Sequence, residues 1–373
     1  MGSGWKVGRL AGIDLAIHPS WLVIAFLLTF SLADGFFPRL IPGWQASGYW
    51  LLGAATALLF FASVLAHEFA HALVARRFGL QVVRITLFIF GGTTSIEGDS
   101  RTAREEALIA LAGPAASLVL GVALLGIGAL VPLPFQVLVS WLGIINIVLG
   151  VFNLVPAYPM DGGRVLRAII WKVRGDPLVG TRRAALVGRI IGYLMVAGGI
   201  FWALRTRDIA SGLWLALVGW FLATSAEATM QQAGVERSLS GVKVRDAMDD
   251  TPPAVSPNES VADLVSERML RGDDRSFLVR HDDGGLAGVV TLGDVRRLPR
   301  ESWPGARVTD IMTRYAELAT IGPDEPLVDA LRLIQEREVG QLPVMSVEER
   351  TPLGLVTRLG ILRLIEARMK LGV

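Results

Sequence analysis

At 373 residues the chain has room for two or three domains. A mean hydropathy of +0.50 and 52% apolar residues against 19% charged exclude an ordinary soluble protein, and a net charge of +2 gives no case for a nucleic-acid partner. The absence of cysteine excludes disulfides and thiolate metal sites, and it fits a reducing compartment.

Residues 5–17 alternate weakly and read as a short strand or an interfacial turn. The N-terminal stretch from Met1 to Arg9 lacks a signal-peptide cleavage pattern, so the first apolar run is expected to stay in the mature protein. His18-Pro19-Ser20 opens a first spanning helix over about 18–35, and His18 reads as a polar helix-start residue rather than a metal ligand. A proline- and glycine-containing loop, 36–48, leads to a second span from about 49 to 78. That is long enough to cross a ~30 Å hydrocarbon core at ~1.5 Å per residue with some tilt. It ends on Arg76-Arg77-Phe78-Gly79, two cations followed by a glycine stop.

This second span carries His67-Glu68-Phe69-Ala70-His71. Residues four apart share a helix face, so both imidazoles can reach one metal ion, and neutral histidine nitrogens suit zinc. Glu68, on the neighbouring face, can take a proton from a metal-activated water. A catalytic zinc needs a third protein ligand, which the chain must supply elsewhere.

Residues 80–97 change period. Val82, Ile85, Leu87 and Ile89, then Thr93-Thr94-Ser95-Ile96, predict two strands joined around Gly91-Gly92. An open strand edge at membrane depth cannot face lipid, but it can line a cavity and receive a substrate segment as one more strand. A third span runs over about 106–130 with Gly113-Pro114 inside it, and a fourth over about 135–155. The fourth ends in Asn153-Leu-Val-Pro156-Ala-Tyr-Pro159-Met-Asp161-Gly162-Gly163-Arg164. The prolines stop the helix, and the two glycines let the next one start close against a neighbour. A lone carboxylate at that depth, costing on the order of 3 kcal/mol at the bilayer centre, needs a partner. Zinc held by His67, His71 and Asp161 explains both halves.

Together these two motifs resemble the site-2 protease family of intramembrane zinc metalloproteases, over the first 230 or so residues. The resemblance implies His67, His71 and Asp161 as ligands of one catalytic zinc, Glu68 as general base and Asn153 as a polar group near the substrate. It also implies a membrane-spanning protein as substrate, cleaved within or at the edge of its apolar segment.

Spans five and six are expected at about 184–204 and 209–229, giving an α-helical membrane body of six spans with a short β element. Basic residues at 76–84, 101–104 and 164–189 fall on the N-terminal side, against Arg39, Arg205 and Arg207 opposite. The positive-inside rule therefore puts both termini in the cytoplasm.

The expected domains are a membrane metalloprotease domain, 1–230, a polar linker, 231–242, and two soluble repeats, 243–300 and 306–373. The repeats align Val244-Arg-Asp-Ala-Met248 with Val308-Thr-Asp-Ile-Met312, and Gly288-Val-Val-Thr291 with Gly354-Leu-Val-Thr357. Each resembles a cystathionine-β-synthase (CBS) domain of α/β type, and two together resemble a CBS pair, which often binds adenine nucleotides. The resemblance implies that Thr291, Asp294 and Thr357 contact a nucleotide. Gly360 stands where a second ribose carboxylate is expected, and Thr291 with Asp294 also reads as an ordinary helix N-cap. A purely structural or dimerising pair is the alternative, and monomer and homodimer both stay open.

The competing function classes are a CBS-regulated transporter or channel with His and Asp lining an ion path, and an inactive scaffold. Glu68 argues against the first, and the complete set of ligands and base argues against the second.

Overall fold

The computed structural model describes residues 4–272, 274–346 and 351–371, so the domain ends expected at residues 1 and 373 lie outside the described residues. The chain forms two units, Met1–Ala233 and Gly234–Val373.

The first unit begins with a hairpin of β1 (Trp5–Leu10) and β2 (Ile13–Ile17), turned at Ala11-Gly12 with both residues at positive φ. Later come β3 (Gln81–Phe88) and β4 (Gly91–Glu97). The four make one sheet in the order β1-β2-β3-β4, with β2 and β3 parallel and the other pairs antiparallel. The sequence predicts only the second hairpin firmly. The first joins it because Ile13 and Ile85, both buried, pack with Val82 on Ala72, Ala75 and Ile109. Among the described residues β4 ends the sheet, with no strand paired to its outer edge.

Among the described residues, six helices are long and apolar enough to cross a membrane. The first consists of α1 (Ser20–Phe30), a π-helical stretch Ser31–Phe36 and α2 (Phe37–Leu40), so part of the predicted 36–48 loop is helical. The others are α3 (Ala46–Arg77), α4 (Ala103–Gly128), α5 (Phe135–Asn153), α7 (Pro177–Thr206) and α8 (Ile209–Leu239). Large apolar side chains such as Leu194, Phe201 and Leu204 remain more than half exposed, as a lipid-facing surface requires.

Two antiparallel helix pairs close on glycines seven residues apart. In α4–α5, a Cβ at Gly121 would meet Gly143 O at 2.8 Å and one at Gly143 would meet Gly121 O at 3.0 Å, while Gly128 and Gly150 sit against Ser140 and Leu118. In α7–α8, Gly192 faces Gly219 and Gly199 faces Gly212 in the same reciprocal way. Without a hydrophobic force between helices in lipid, such backbone approach is a main source of association. The helix expected to start at the glycine pair is α6 (Asp161–Arg174), to which the sequence reading gives no end, with Lys172 and Arg174 in its last turn and Gly175 in the left-handed stop.

The second unit contains β5 (Ala254–Val255), α9 (Val261–Asp263), β6 (Ser276–Arg280), β7 (Leu286–Thr291), α10 (Leu292–Arg297), α11 (Val308–Ile311) and β8 (Thr313–Arg314). These are followed by α12 (Leu327–Glu336), β9 (Gln341–Met345), β10 (Pro352–Thr357) and α13 (Arg358–Leu371). The segment read as a linker is helical as far as Leu239, and Leu239 is buried among Val242, Leu327, Ile361 and their neighbours.

The repeats exchange their leading segments. Residues Val242–Arg245 of the first bond to 323–327 of the second, and Val308 and Thr309 of the second bond back to Glu259 and Pro257 of the first. Lys243 Nζ donates to Asp324 Oδ1 at 2.9 Å and Arg245 pairs with the same carboxylate. That hydrogen bond and the nearby cations hold the Asp324 carboxyl below its ordinary pKa. Asp249 bridges to Leu355 on β10, while Thr313 pairs with Val289 on β7. At both crossings a glycine admits a methionine: a Cβ at Gly288 would meet Met312 Sδ at 3.0 Å, and one at Gly354 would meet Met248 Sδ at 3.0 Å. Each glycine also lies against a partner backbone carbonyl, of Thr313 and Asp249 respectively.

Gly288→Ala and Gly354→Ala are therefore expected to destabilise the second unit alike, by about 1–3 kcal/mol each through overpacking. Thermal unfolding followed by circular dichroism checks this. A melting temperature unchanged in both variants contradicts the close approach.

Candidate metal centre

Three elements converge on one point. α3 carries His67 and His71 on one face one turn apart, both only 4% exposed, and α6 begins with Asp161, itself 9% exposed. His67 Nε2 and His71 Nε2 lie 3.1 and 3.2 Å from Asp161 Oδ2 and 3.2 Å from each other. Among the described residues this is the group whose ligand atoms could hold a metal ion.

α4 supplies no ligand but orients both rings. His71 Nδ1 donates to Ile109 O at 2.7 Å, and His67 Nδ1 lies 2.9 Å from Ser117 Oγ. A carbonyl oxygen only accepts, so the His71 proton sits on Nδ1 and its Nε2 presents a lone pair to the cluster. Ser117 Oγ can accept from His67 Nδ1 and leave the same arrangement there. With both rings in that tautomer, two imidazole lone pairs and a carboxylate oxygen face one another, and a cation between them would hold them this close. Tetrahedral zinc at ~2.0–2.1 Å from each ligand puts ligand atoms about 3.3 Å apart, which matches the observed separations. The donor set and the orienting bonds fit zinc.

Ile109, Gly113 and Ser117 are four residues apart and make one stripe of α4. A Cβ at Gly113 would fall on the Nε2 atoms of both histidines, so only glycine lets α4 pass this close. On the other side, Cβ atoms at Gly162 and Gly163 would strike the backbone of Leu154, Val155 and Tyr158. The glycine pair lets the turn after α5 fold back on the first turn of α6, which aims Asp161. The sequence reading has the glycines; the neighbour they approach is the proline turn itself.

Glu68 and the edge strand meet. Thr94 Oγ1 of β4 donates to Glu68 Oε2 at 2.6 Å, and the Glu68 side chain occupies the space a Cβ at Gly92 would need. A cavity of about 430 Å³ is lined by His67, Glu68, His71 and Asp161, by β4 from Gly91 to Thr94, and by Asn153. Asn153 Nδ2 donates to Leu149 O at 3.0 Å within α5. His18 takes no part, since its Nδ1 meets Ser20 Oγ at 2.8 Å at the start of α1. Ser117, Gly113, Ile109 O and Thr94 are missed by the sequence reading. The four-residue spacing of the α4 stripe is the one signal that could have found the first three, and Thr94 on β4 carries none.

Thr291 and Asp294 belong to the second unit and form a capping box on α10. Asp294 Oδ2 accepts from Thr291 N at 2.9 Å and from Thr291 Oγ1 at 2.7 Å. Thr357 Oγ1 accepts from Gly360 N at 3.0 Å at the start of α13.

A profile of peptidase family M50 matches residues 55–134 and 130–197, and one of the CBS domain matches 244–301 and 308–367. A Synechocystis sp. protein named as a zinc metalloprotease is 34% identical over 371 residues, covering 98% of this chain and 96% of that protein. Rip3 of Mycobacterium tuberculosis, named in the same way, is 35% identical over 368 residues, covering 96% and 92%. Among solved structures, the site-2 protease from Methanocaldococcus jannaschii aligns with 61% of this chain and 95% of its own, at 30% identity and a TM-score of 0.44.

Gly113→Val is expected to displace both imidazoles and strip the bound metal, whereas Gly126→Ala, on the same helix with open space around it, keeps it. Metal analysis of the two purified proteins checks this. Equal metal in both contradicts the close passage of α4.

Proposed function

The chain belongs to peptidase family M50 and is a zinc metalloprotease of the site-2 protease type with a CBS pair, and on that premise we propose that it cleaves membrane-spanning proteins within or beside their apolar segment. One observation carries this reading: the two histidines, Asp161, Glu68 and residues of β4, the last strand of its sheet, line a single cavity.

In this reading His67, His71 and Asp161 hold one zinc ion. When bound, zinc supplies Lewis-acid charge that polarises the scissile carbonyl and acidifies water. Glu68 accepts the proton of the attacking water as its oxygen bonds to the carbonyl carbon, then delivers it to the nitrogen as the C–N bond breaks. Thr94 holds Oε2 of that carboxylate, which fixes the direction in which the base works. β4 receives the substrate in extended form through its free edge, so that main-chain hydrogen bonds replace the helix the substrate gives up. Asn153 lies in the wall of the same cavity and serves as a polar contact for the extended segment. Polar and charged lining residues such as Ser100, Asp99 and Arg164 give water a route to the site.

We assign both termini and the CBS pair to the cytoplasm, on the excess of Arg and Lys at the helix ends of the N-terminal side. The pair, residues 243–300 and 306–373, then regulates access to the protease, with an adenine nucleotide as its effector and Thr291, Asp294 and Thr357 as contacts. The capping box favours a second reading, a structural or dimerising pair, because Asp294 already spends Oδ2 on Thr291 and has Oδ1 3.4 Å from Arg297 Nη1.

Cleavage is read from membrane proteins whose length differs between cells holding the wild-type chain and cells holding a variant. Glu68→Gln is expected to keep zinc and lose cleavage by at least ~10²-fold, the usual weight of a general base. His67→Ala, His71→Ala and Asp161→Ala are expected to lose zinc as well. Ser95→Pro, at an exposed position of β4, keeps zinc and impairs cleavage. Wild-type cleavage by Glu68→Gln overturns the mechanism, and wild-type cleavage by folded Ser95→Pro overturns the strand route.

Calorimetric titration of the full chain with AMP and ATP is expected to show binding that weakens in Asp294→Ala. No heat with either nucleotide leaves the structural pair as the reading that stands.

A further inference from the structure

Glu106 lies in the first turns of α4, is 2% exposed, and takes no direct part in the metal cluster. Its Oε1 accepts from Arg164 Nε at 3.1 Å and from Arg167 Nη1 at 3.0 Å, both on α6. Its Oε2 accepts from Ser100 Oγ at 2.8 Å, on the segment that leaves β4. One buried carboxylate therefore ties three pieces of chain together.

Those pieces are the ones that build the centre. On α4, Glu106 precedes Ile109 by three residues, and Ile109, Gly113 and Ser117 follow at intervals of four, so all share the face that orients His67 and His71. On α6, Asp161, Arg164 and Arg167 follow at intervals of three, so the guanidinium groups project beside the carboxylate. The clamp thus sets the axial position of α6 against the α4 stripe, and with it the reach of Asp161 Oδ2 toward the two Nε2 atoms.

We infer that Glu106 is a positioning residue for Asp161: through Arg164 and Arg167 it holds the third ligand at the distance where one cation can bridge it to both histidines. The inference rests on the reading of His67, His71 and Asp161 as the zinc ligands. Arg164 and Arg167 outnumber the carboxylate they share, so a neutral replacement leaves two half-buried guanidiniums without the buried anion they bind, and α6 shifts to solvate them. Partners one shell outside a metal commonly govern its affinity by ~10–100-fold.

The test uses the full chain in detergent and measures zinc affinity by competition with a metallochromic chelator, with thermal unfolding of the zinc-free protein alongside. Glu106→Gln is expected to weaken zinc binding about 10–100-fold. On an Asp161→Asn background the same change is expected to add little, because the residue it positions no longer supplies the charge. A merely structural role predicts the opposite: a lower unfolding temperature and an equal loss on both backgrounds. Equal loss on both backgrounds, or wild-type zinc affinity in Glu106→Gln, overturns the inference. Should Glu106→Gln fail to fold, Arg167→Lys is measured in the same way. It keeps a cation but forfeits the planar fork, and unchanged affinity there overturns the inference too. A wild-type chain that binds no zinc would instead overturn the assignment of the ligands.

Discussion

His67 Nε2, His71 Nε2 and Asp161 Oδ2 meet within 3.2 Å in the middle of an apolar helical unit, and the electrostatics of that meeting constrain everything around it. Three hydrogen-bond acceptors repel one another unless a positive charge lies between them. The fold must therefore deliver three backbones to one point and keep other polar groups satisfied on the way. It does so with missing side chains as much as with present ones. Gly113 lets α4 cross above the imidazoles, and Gly162 and Gly163 let the proline turn press on α6. Gly188 of α7 sits against the Tyr158 backbone of the same turn. A methyl group at any of these positions would strike the imidazoles or the backbone of the turn that aims Asp161.

That constraint explains which parts of the centre were legible in the sequence. The two histidines four apart, the adjacent Glu68 and the lone Asp161 announce themselves because each is a titratable residue where lipid would forbid one. The orienting groups do not. Ile109 contributes a carbonyl oxygen, which every residue carries, and Gly113 contributes an absence. Ser117 reads as a small packing residue in a Gly-Pro-Ala-Ala-Ser run. Thr94 reads as a β-former, and only the fold reveals its hydroxyl beneath Glu68. The first four spans were legible from hydropathy to within about five residues. α7, however, starts seven residues before and α8 ends ten residues after the expected spans. The helix expected after Gly163 was not marked off as α6 from the basic stretch that follows. The β2–β3 parallel pairing joins segments some seventy residues apart, a contact that local pattern cannot signal.

The second unit shows the same limit differently. The repeat is plain in the alignment of Met248 with Met312 and Gly288 with Gly354, and it suggests two self-contained domains. In the structure each repeat completes the other: Val242 and Val244 are buried with the second repeat's core, and Val308 with the first's. A third cluster, with Leu278 and Val289 from one repeat and Met345 and Leu355 from the other, joins them. Neither repeat has a full core alone, so the pair is the folding unit. Leu239 extends that core back into α8, which is why a polar-looking segment is helical there.

In the proposed reading the edge strand joins binding to chemistry through one side chain. β4 is the outermost strand of its sheet, and Thr94, in its middle, hydrogen-bonds the carboxylate proposed as base. A segment laid along the free edge would pair with the backbone on either side of Thr94 and pin the strand. The Thr94 hydroxyl would then hold Glu68 Oε2 more firmly, at the moment when a carbonyl lies within reach. Before that, β4 is paired with β3 on one side only among the described residues. In the proposed reading the base would be ordered by the strand that the substrate orders, which would favour attack on an extended, paired chain over attack on anything that merely diffuses into the cavity.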